Sequence, residues 1–138
     1  MFTLEDARLR EFAKDYTAAW CGQNPASVAA FYSLDGSLTI NDGPPAVGRD
    51  AIAESARSFM VAFPGMKVSM DDVAIRGGEA TYHWTLAGSN TGPGGTGRRV
   101  RFSGFEVWKF GGDGLIAESR GHFDAEVYKY QVEHGIDG

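Results

Sequence analysis

A single cysteine, Cys21, stands in 138 residues, so the chain can close no internal disulfide and can supply no four-cysteine metal site. Basic residues are also short. Thirteen Lys and Arg against 18 Asp and Glu leave a net charge of −5, without the electrostatic footprint that nucleic-acid binding requires. One local exception, Arg98, Arg99 and Arg101 beside a glycine-rich loop, reads as a solvated strand edge or as an anion site. No apolar run is long enough to cross a bilayer, and Met1-Phe2-Thr3-Leu4-Glu5-Asp6 is too acidic for a secretory leader. A soluble, cytoplasmic protein that touches neither membrane nor nucleic acid is expected. Missing too are a Gly-x-Ser-x-Gly elbow and a Rossmann fingerprint. The run Gly92-Pro93-Gly94-Gly95-Thr96-Gly97 lacks the Lys-Ser/Thr ending of a phosphate loop and joins two strands. His83, Glu118, His122 and Asp124 show no metal-ligand spacing, so no metal is expected.

What the chain does have is apolar and aromatic residues, 43% and 12%, enough for one domain over residues 1–138 with its own core. Helical spacing runs over 4–21, with Leu9, Phe12, Ala13, Tyr16, Ala19 and Trp20 on one stripe. Thr3 suits its N-cap, Glu5 and Asp6 its first turn, and Gly22 its stop. Asn24-Pro25 opens a second, short helix that turns Val28, Phe31 and Tyr32 inward. An Asp35-Gly36 turn leads into a strand over Ser37–Ile40, and the adjacent prolines of 41–45 demand a loop. Residues 48–63 form a third helix with Ile52, Ala56, Phe59, Met60 and Phe63 on one face.

Strands follow at roughly 66–76, 79–90, 98–110 and 115–124. In the first, Met66, Val68 and Met70 share one phase while Val73 and Ile75 share the other. In the third, Val100 and Phe102 give way across Ser103-Gly104 to Phe105 and Val107, which also reads as a bulge or bend. A closing helix begins near Ala125. The layout is α+β: a strongly bent antiparallel or mixed sheet wrapped as a cone around a pocket and packed against three N-terminal helices.

Several local patterns recur in order: Trp20 with Gly22; Phe31-Tyr32 before Asp35; Gly48 with Ile52; Phe63-Pro64; Trp84 with Gly88 and Gly92; Phe110 with Gly112-Asp113-Gly114-Leu115-Ile116 and Glu118; Phe123-Asp124; and Gln131 with Gly135. On these the chain resembles the nuclear-transport-factor-2-like superfamily, in its SnoaL-like, polyketide cyclase-type branch. The resemblance implies a cystatin-like α+β roll with a cone-shaped pocket, frequent dimerisation through the outer sheet face and no obligatory cofactor. It implies no single reaction, because relatives include ketosteroid isomerases, dehydratases, epoxide hydrolases, cyclases and non-catalytic members.

In SnoaL-like cyclases an Asp near the end of the last strand is the general acid/base, and Asp124 matches that place. A carboxyl in an aromatic pocket gains a raised pKa suited to that work; the alternative is that Asp124 caps the closing helix. His122 is two residues earlier on the same strand face and can assist; Glu118 and Arg120 share that face, which periodicity leaves inward or outward. His83 and His134 read as surface residues. The substrate-binding candidates are Tyr16, Trp20, Tyr32, Asn41, Phe59, Phe63, Trp84, Asn90 and Trp108. Asn90 stands where relatives with the Trp-x-x-x-Gly-x-x-x-Gly pattern carry a His, and a Tyr at position 16 can reach into a cone as in ketosteroid isomerases.

The expected function is binding of a small, apolar, oxygen-bearing molecule, with cofactor-free acid/base cyclisation, isomerisation or hydration. The rival is a non-catalytic ligand-binding or dimerisation module. An enzyme of this kind requires a cavity of a few hundred cubic ångströms beside Asp124.

Overall fold

Residues with helical spacing and residues with alternating spacing separate into two layers. The computed structural model describes residues 6–136, so the expected cap Thr3 and first-turn Glu5 lie outside the described residues. The elements are α1 (Asp6–Cys21), α2 (Pro25–Ala29), β1 (Tyr32–Ile40), β2 (Ala46–Val47), α3 (Arg49–Ala62), β3 (Lys67–Arg76), β4 (Glu79–Ser89), β5 (Arg99–Phe110), β6 (Ile116–Phe123) and α4 (Ala125–His134). The strands form one curved sheet in the order β2-β1-β6-β5-β4-β3. All neighbours are antiparallel except β1 and β6, which run parallel. The class is α+β, with a mixed sheet and helices packed on its concave face.

Local chemistry explains the boundaries. The Asn24 side chain accepts from Ser27 N and Pro25 occupies the first helical turn, so α2 starts where expected. Gly48 at φ +89° caps α3, a conformation that L side chains rarely adopt. α1 buries Leu9, Ala13 and Tyr16, and α3 buries Ile52, Ala56 and Met60, against the sheet and each other.

Two expectations change. Tyr32 belongs to β1 rather than to α2, and Asp35-Gly36 is no strand-separating turn. The residues between Tyr32 and Ser37 bulge out of the β1–β6 ladder, exposing Leu34 and burying Gly36. A Cβ at Gly36 would lie 2.9 Å from the Ile116 carbonyl oxygen, so glycine lets the bulge close against β6. The second change is in β5. The register slip expected in β3 is present, between Met70 and Asp72. The slip expected at Ser103-Gly104 is absent: β5 pairs with β4 without interruption from Arg99 to Trp108. Val100, Phe102, Glu106 and Trp108 are buried, and Phe105 faces outward.

The uninterrupted register arranges the concave face in cross-strand rows. One row reads Leu38, Ser119, Trp108, Ala80, and the next reads Ile40, Gly121, Glu106, Tyr82, Val73. The third reads Phe123, Gly104, Trp84, Met70. A carboxyl group therefore sits in the middle of the inner face.

Candidate functional site

Glu106 is 7% exposed, and its carboxyl is held by donors from four elements. Oε1 accepts from Ser119 Oγ at 2.7 Å, from Trp108 Nε1 at 2.9 Å and from the Tyr16 hydroxyl at 2.9 Å. The Tyr32 hydroxyl lies farther off, at 3.5 Å, and is 2.9 Å from the Tyr16 hydroxyl, so the two phenols form a chain ending on the carboxyl. Among the described residues Oε2 has only the Tyr16 hydroxyl, at 3.3 Å. Burial raises the Glu106 pKa above the ordinary 4.5, while the donors Trp108, Ser119, Tyr16 and Tyr32 oppose the rise. Burial, with Glu106 nearby, also holds the Tyr16 and Tyr32 phenols well above 10.0, so both remain neutral donors.

In front of the carboxyl lies a cavity of about 60 Å³. Aromatic walls come from Trp20, Phe59, Tyr82, Trp84 and Phe123, and aliphatic walls from Leu38, Ile40, Val68 and Leu86. Among the described residues that line it, Glu106 is the one carboxylate, with Gly121 and His122 beside it. The rings join in a chain: Trp20 to Phe59 at 6.3 Å, Phe59 to Phe123 at 6.3 Å, and Phe123 to Trp84 at 6.1 Å between centroids. Tyr82 stacks on Trp108 at 4.8 Å, and Thr17 holds its hydroxyl at 2.5 Å. This cavity does not reach Asp124, beside which a few hundred cubic ångströms were expected; the space bordering Asp124 is a separate open cleft of about 460 Å³.

The expected site residues are scattered over several parts of the fold. Trp20, Phe59 and Trp84 line the cavity. Tyr16, Tyr32 and Trp108 are fully buried behind it, where they hold Glu106 rather than offer a wall to a ligand. Phe63 is fully buried where α3 ends, against Tyr128 and away from the cavity. Asn90 is consumed by its own loop: its Nδ2 donates to the Ala62 carbonyl and its Oδ1 accepts from Thr96 N. Asn41, at φ +51°, accepts from Phe123 N and ties down the end of β6.

Asp124 is the N-cap of α4: its Oδ1 accepts from Glu126 N at 2.9 Å and Val127 N at 3.1 Å. It is exposed and borders a shallow cleft with Asn41, Asp42, Phe105 and His122, outside the apolar cavity. The Glu118, Arg120 and His122 side of β6 turns outward, since Ser119 bonds the buried Glu106 and the Phe123 ring packs inside. Glu118 and Arg120 pair with each other and with Lys109 and Glu79. The His122 ring packs on Phe105, 5.0 Å between centroids, with His83 on the same ring at 5.8 Å. Sequence reasoning missed Glu106 because the expected slip at Gly104 turned Phe105 and Val107 inward and Glu106 out. Its signal was the unbroken two-residue period from Val100 to Trp108.

A model of the SnoaL-like domain matches residues 13–119. The chain belongs to the SnoaL-like domain family. This SnoaL-like chain thus falls in the nuclear-transport-factor-2-like superfamily, and solved structures share its fold. One is a protein of ketosteroid isomerase-like fold from Catenulispora acidiphila in complex with trimethylamine, with TM-score 0.78, 17% identity and coverage of 93% of this chain and 96% of that one. TsrD from Streptomyces laurentii gives TM-score 0.79 at 16% identity, covering 97% of this chain and 100% of that one. SalBIII, an epoxide hydrolase/cyclase-like enzyme in pyran ring formation in the polyether salinomycin, gives 0.75 at 13% identity, covering 88% and 95%. No curated protein matches the chain.

Proposed function

We propose that this SnoaL-like protein binds a compact, apolar, oxygen-bearing molecule and transfers a proton to its oxygen, with Glu106 as the acid. The observation that carries this reading is a buried carboxyl whose two oxygens are treated differently. Oε1 accepts from Ser119, Trp108 and Tyr16, whereas among the described residues Oε2 has only the longer contact from Tyr16, and Glu106 lines an apolar cavity. Burial shifts Glu106 toward its protonated form, and in this reading the transferable proton is carried on Oε2, the oxygen with fewer donors. When that proton moves to a ligand oxygen, the charge left behind is met by donors already in place on Oε1. The return of the proton from a neighbouring carbon or hydroxyl would complete a cyclisation, isomerisation or hydration. His122 and Asp124 border the outer cleft; in this reading they shape the approach to the site and Asp124 caps α4.

Crystals soaked with small ketones, lactones and epoxides test the proposal. Density within hydrogen-bond reach of Oε2, and turnover abolished in Glu106→Gln, are expected. An empty cavity across the panel, or turnover indifferent to Glu106→Gln, would overturn it.

A second reading is favoured by the ring of Trp20, Phe59, Trp84 and Phe123 around one carboxyl, which suits a small alkylammonium ion. The similar structure holding trimethylamine adds to it. Affinity against pH separates the two. A neutral acceptor binds best while Glu106 is protonated, whereas an ammonium ion binds more tightly as Glu106 ionises. The outward patch of Phe105 with His83 and His122 also supports a homodimer across the outer sheet face, which sedimentation of the wild type and Phe105→Asp would test.

A further inference from the structure

We infer that Gly121 is the residue that sets the size of ligand the cavity accepts. This rests on the reading of the cavity as a ligand site. Gly121 is the direct β6 partner of Glu106 and the direct partner of Ile40 on β1. On the other side of Glu106 its β4 partner is Tyr82, which lines the same cavity. Directly opposed residues of a sheet hold their Cβ atoms about 5 Å apart, so a side chain at 121 would cover the open flank of the acid. There is none, and the space is left to the cavity.

A second inner glycine in the same part of the sheet shows that the gap is specific to position 121. A Cβ at Gly104 would lie 2.5 Å from Trp84 Cζ2 and 3.0 Å from Phe123 Cβ, so packed protein already fills the space before it. A Cβ at Gly121 would find Glu106 Cγ at 3.6 Å and the Thr39 carbonyl at 3.7 Å, both ordinary van der Waals contacts. Gly121 also has no positive φ that would demand glycine. Neither backbone conformation nor packing therefore explains a glycine inside a strand, where it weakens the ladder. Access to Glu106 does.

The test compares Gly121→Ala with the wild type in binding acetone and cyclohexanone, followed by NMR of the Trp20 and Trp84 indoles, with melting temperature measured in parallel. The variant should fold with an equal or higher melting temperature. Its affinity for cyclohexanone should fall roughly tenfold or more, while that for acetone changes little. A cyclohexanone-to-acetone ratio unchanged from the wild type would overturn the inference and leave the proposed function standing. Failure of the wild type to bind either ketone would overturn both. Should Gly121→Ala not fold, NMR of the wild type decides the matter: bound cyclohexanone should show NOEs to the Gly121 Hα protons, and acetone weaker ones. NOEs from cyclohexanone to the cavity indoles with none to Gly121 would refute the role of position 121.

Discussion

Replacing Glu106 by Gln should remove a pH dependence of stability that follows from the buried carboxyl. Burial raises the native-state pKa above the ordinary 4.5, so the fold favours the neutral form. Stability is then complete below the unfolded-state value and is lost as pH rises toward the native-state value. For one proton the loss runs at up to about 1.4 kcal/mol per pH unit and levels off beyond the native-state pKa. Gln keeps the shape, can accept from Ser119, Trp108 and Tyr16 as Oε1 now does, and carries no titrating proton. Glu106→Gln should therefore match the wild type near the acidic end and become the more stable protein as pH rises. Asp113 gives the opposite trend: Leu115 N and Ser33 Oγ lower its pKa, so its contribution is lost as pH falls. That trend is common to both proteins and cancels in their difference. Urea unfolding at steps between about pH 4 and about pH 9 measures the difference curve. A flat curve would mean that Glu106 ionises as readily in the fold as in the unfolded chain, and the argument from burial would fail.

Tyr16→Phe removes a donor to Oε1 and so raises the native-state pKa, and the difference curve should keep climbing to a higher pH before it levels off, at a cost of about 0.5–1.5 kcal/mol in stability. A midpoint that stays put would separate Tyr16 from the carboxyl's titration. Asp124→Ala should cost about 0.5–2 kcal/mol in urea unfolding, whereas Asp124→Asn, which also caps, should cost little. Gly104→Ala forces a methyl against Trp84 and the His122 carbonyl and should destabilise by about 1–3 kcal/mol, also read from urea unfolding.

Most strand boundaries were legible because alternation is a direct record of which face meets the core. The β3 slip was legible for the same reason: Met66, Val68 and Met70 on one phase and Val73 and Ile75 on the other have no common face without an extra residue. In β5 alternation misleads, because Phe105 and Val107 need not point inward for the strand to cover the core. Phe105 instead meets two histidines on the outer face, and the inner phase is carried by Val100, Phe102, Glu106 and Trp108. Gly104 there marks no bend; it makes room for Trp84 to lie across the strand. Binary patterning treats Glu as a surface residue, so a carboxyl with its own donors is invisible to it. The donors are on α1, β1, β5 and β6, and no sequence spacing brings Tyr16, Tyr32, Trp108 and Ser119 together. The Asp124 cap was legible as an alternative because its partners are only two and three residues away.

Two features of the inner face are costly to the fold, and both lie at one place. A carboxyl in an inward strand position needs several donors simply to avoid a large desolvation penalty, and apolar residues of similar size are often as good or better for stability. A glycine inside a strand costs roughly 0.5–1 kcal/mol against alanine, and alanine would fit at 121. If stability alone shaped this face, Glu106 would be apolar and Gly121 would carry a side chain. The two residues are direct cross-strand partners, and the cavity lies before them. Folding explains neither feature. A ligand that needs both a proton donor and room beside it explains the pair together, as expected where local rules of sequence and structure give way at a functional site.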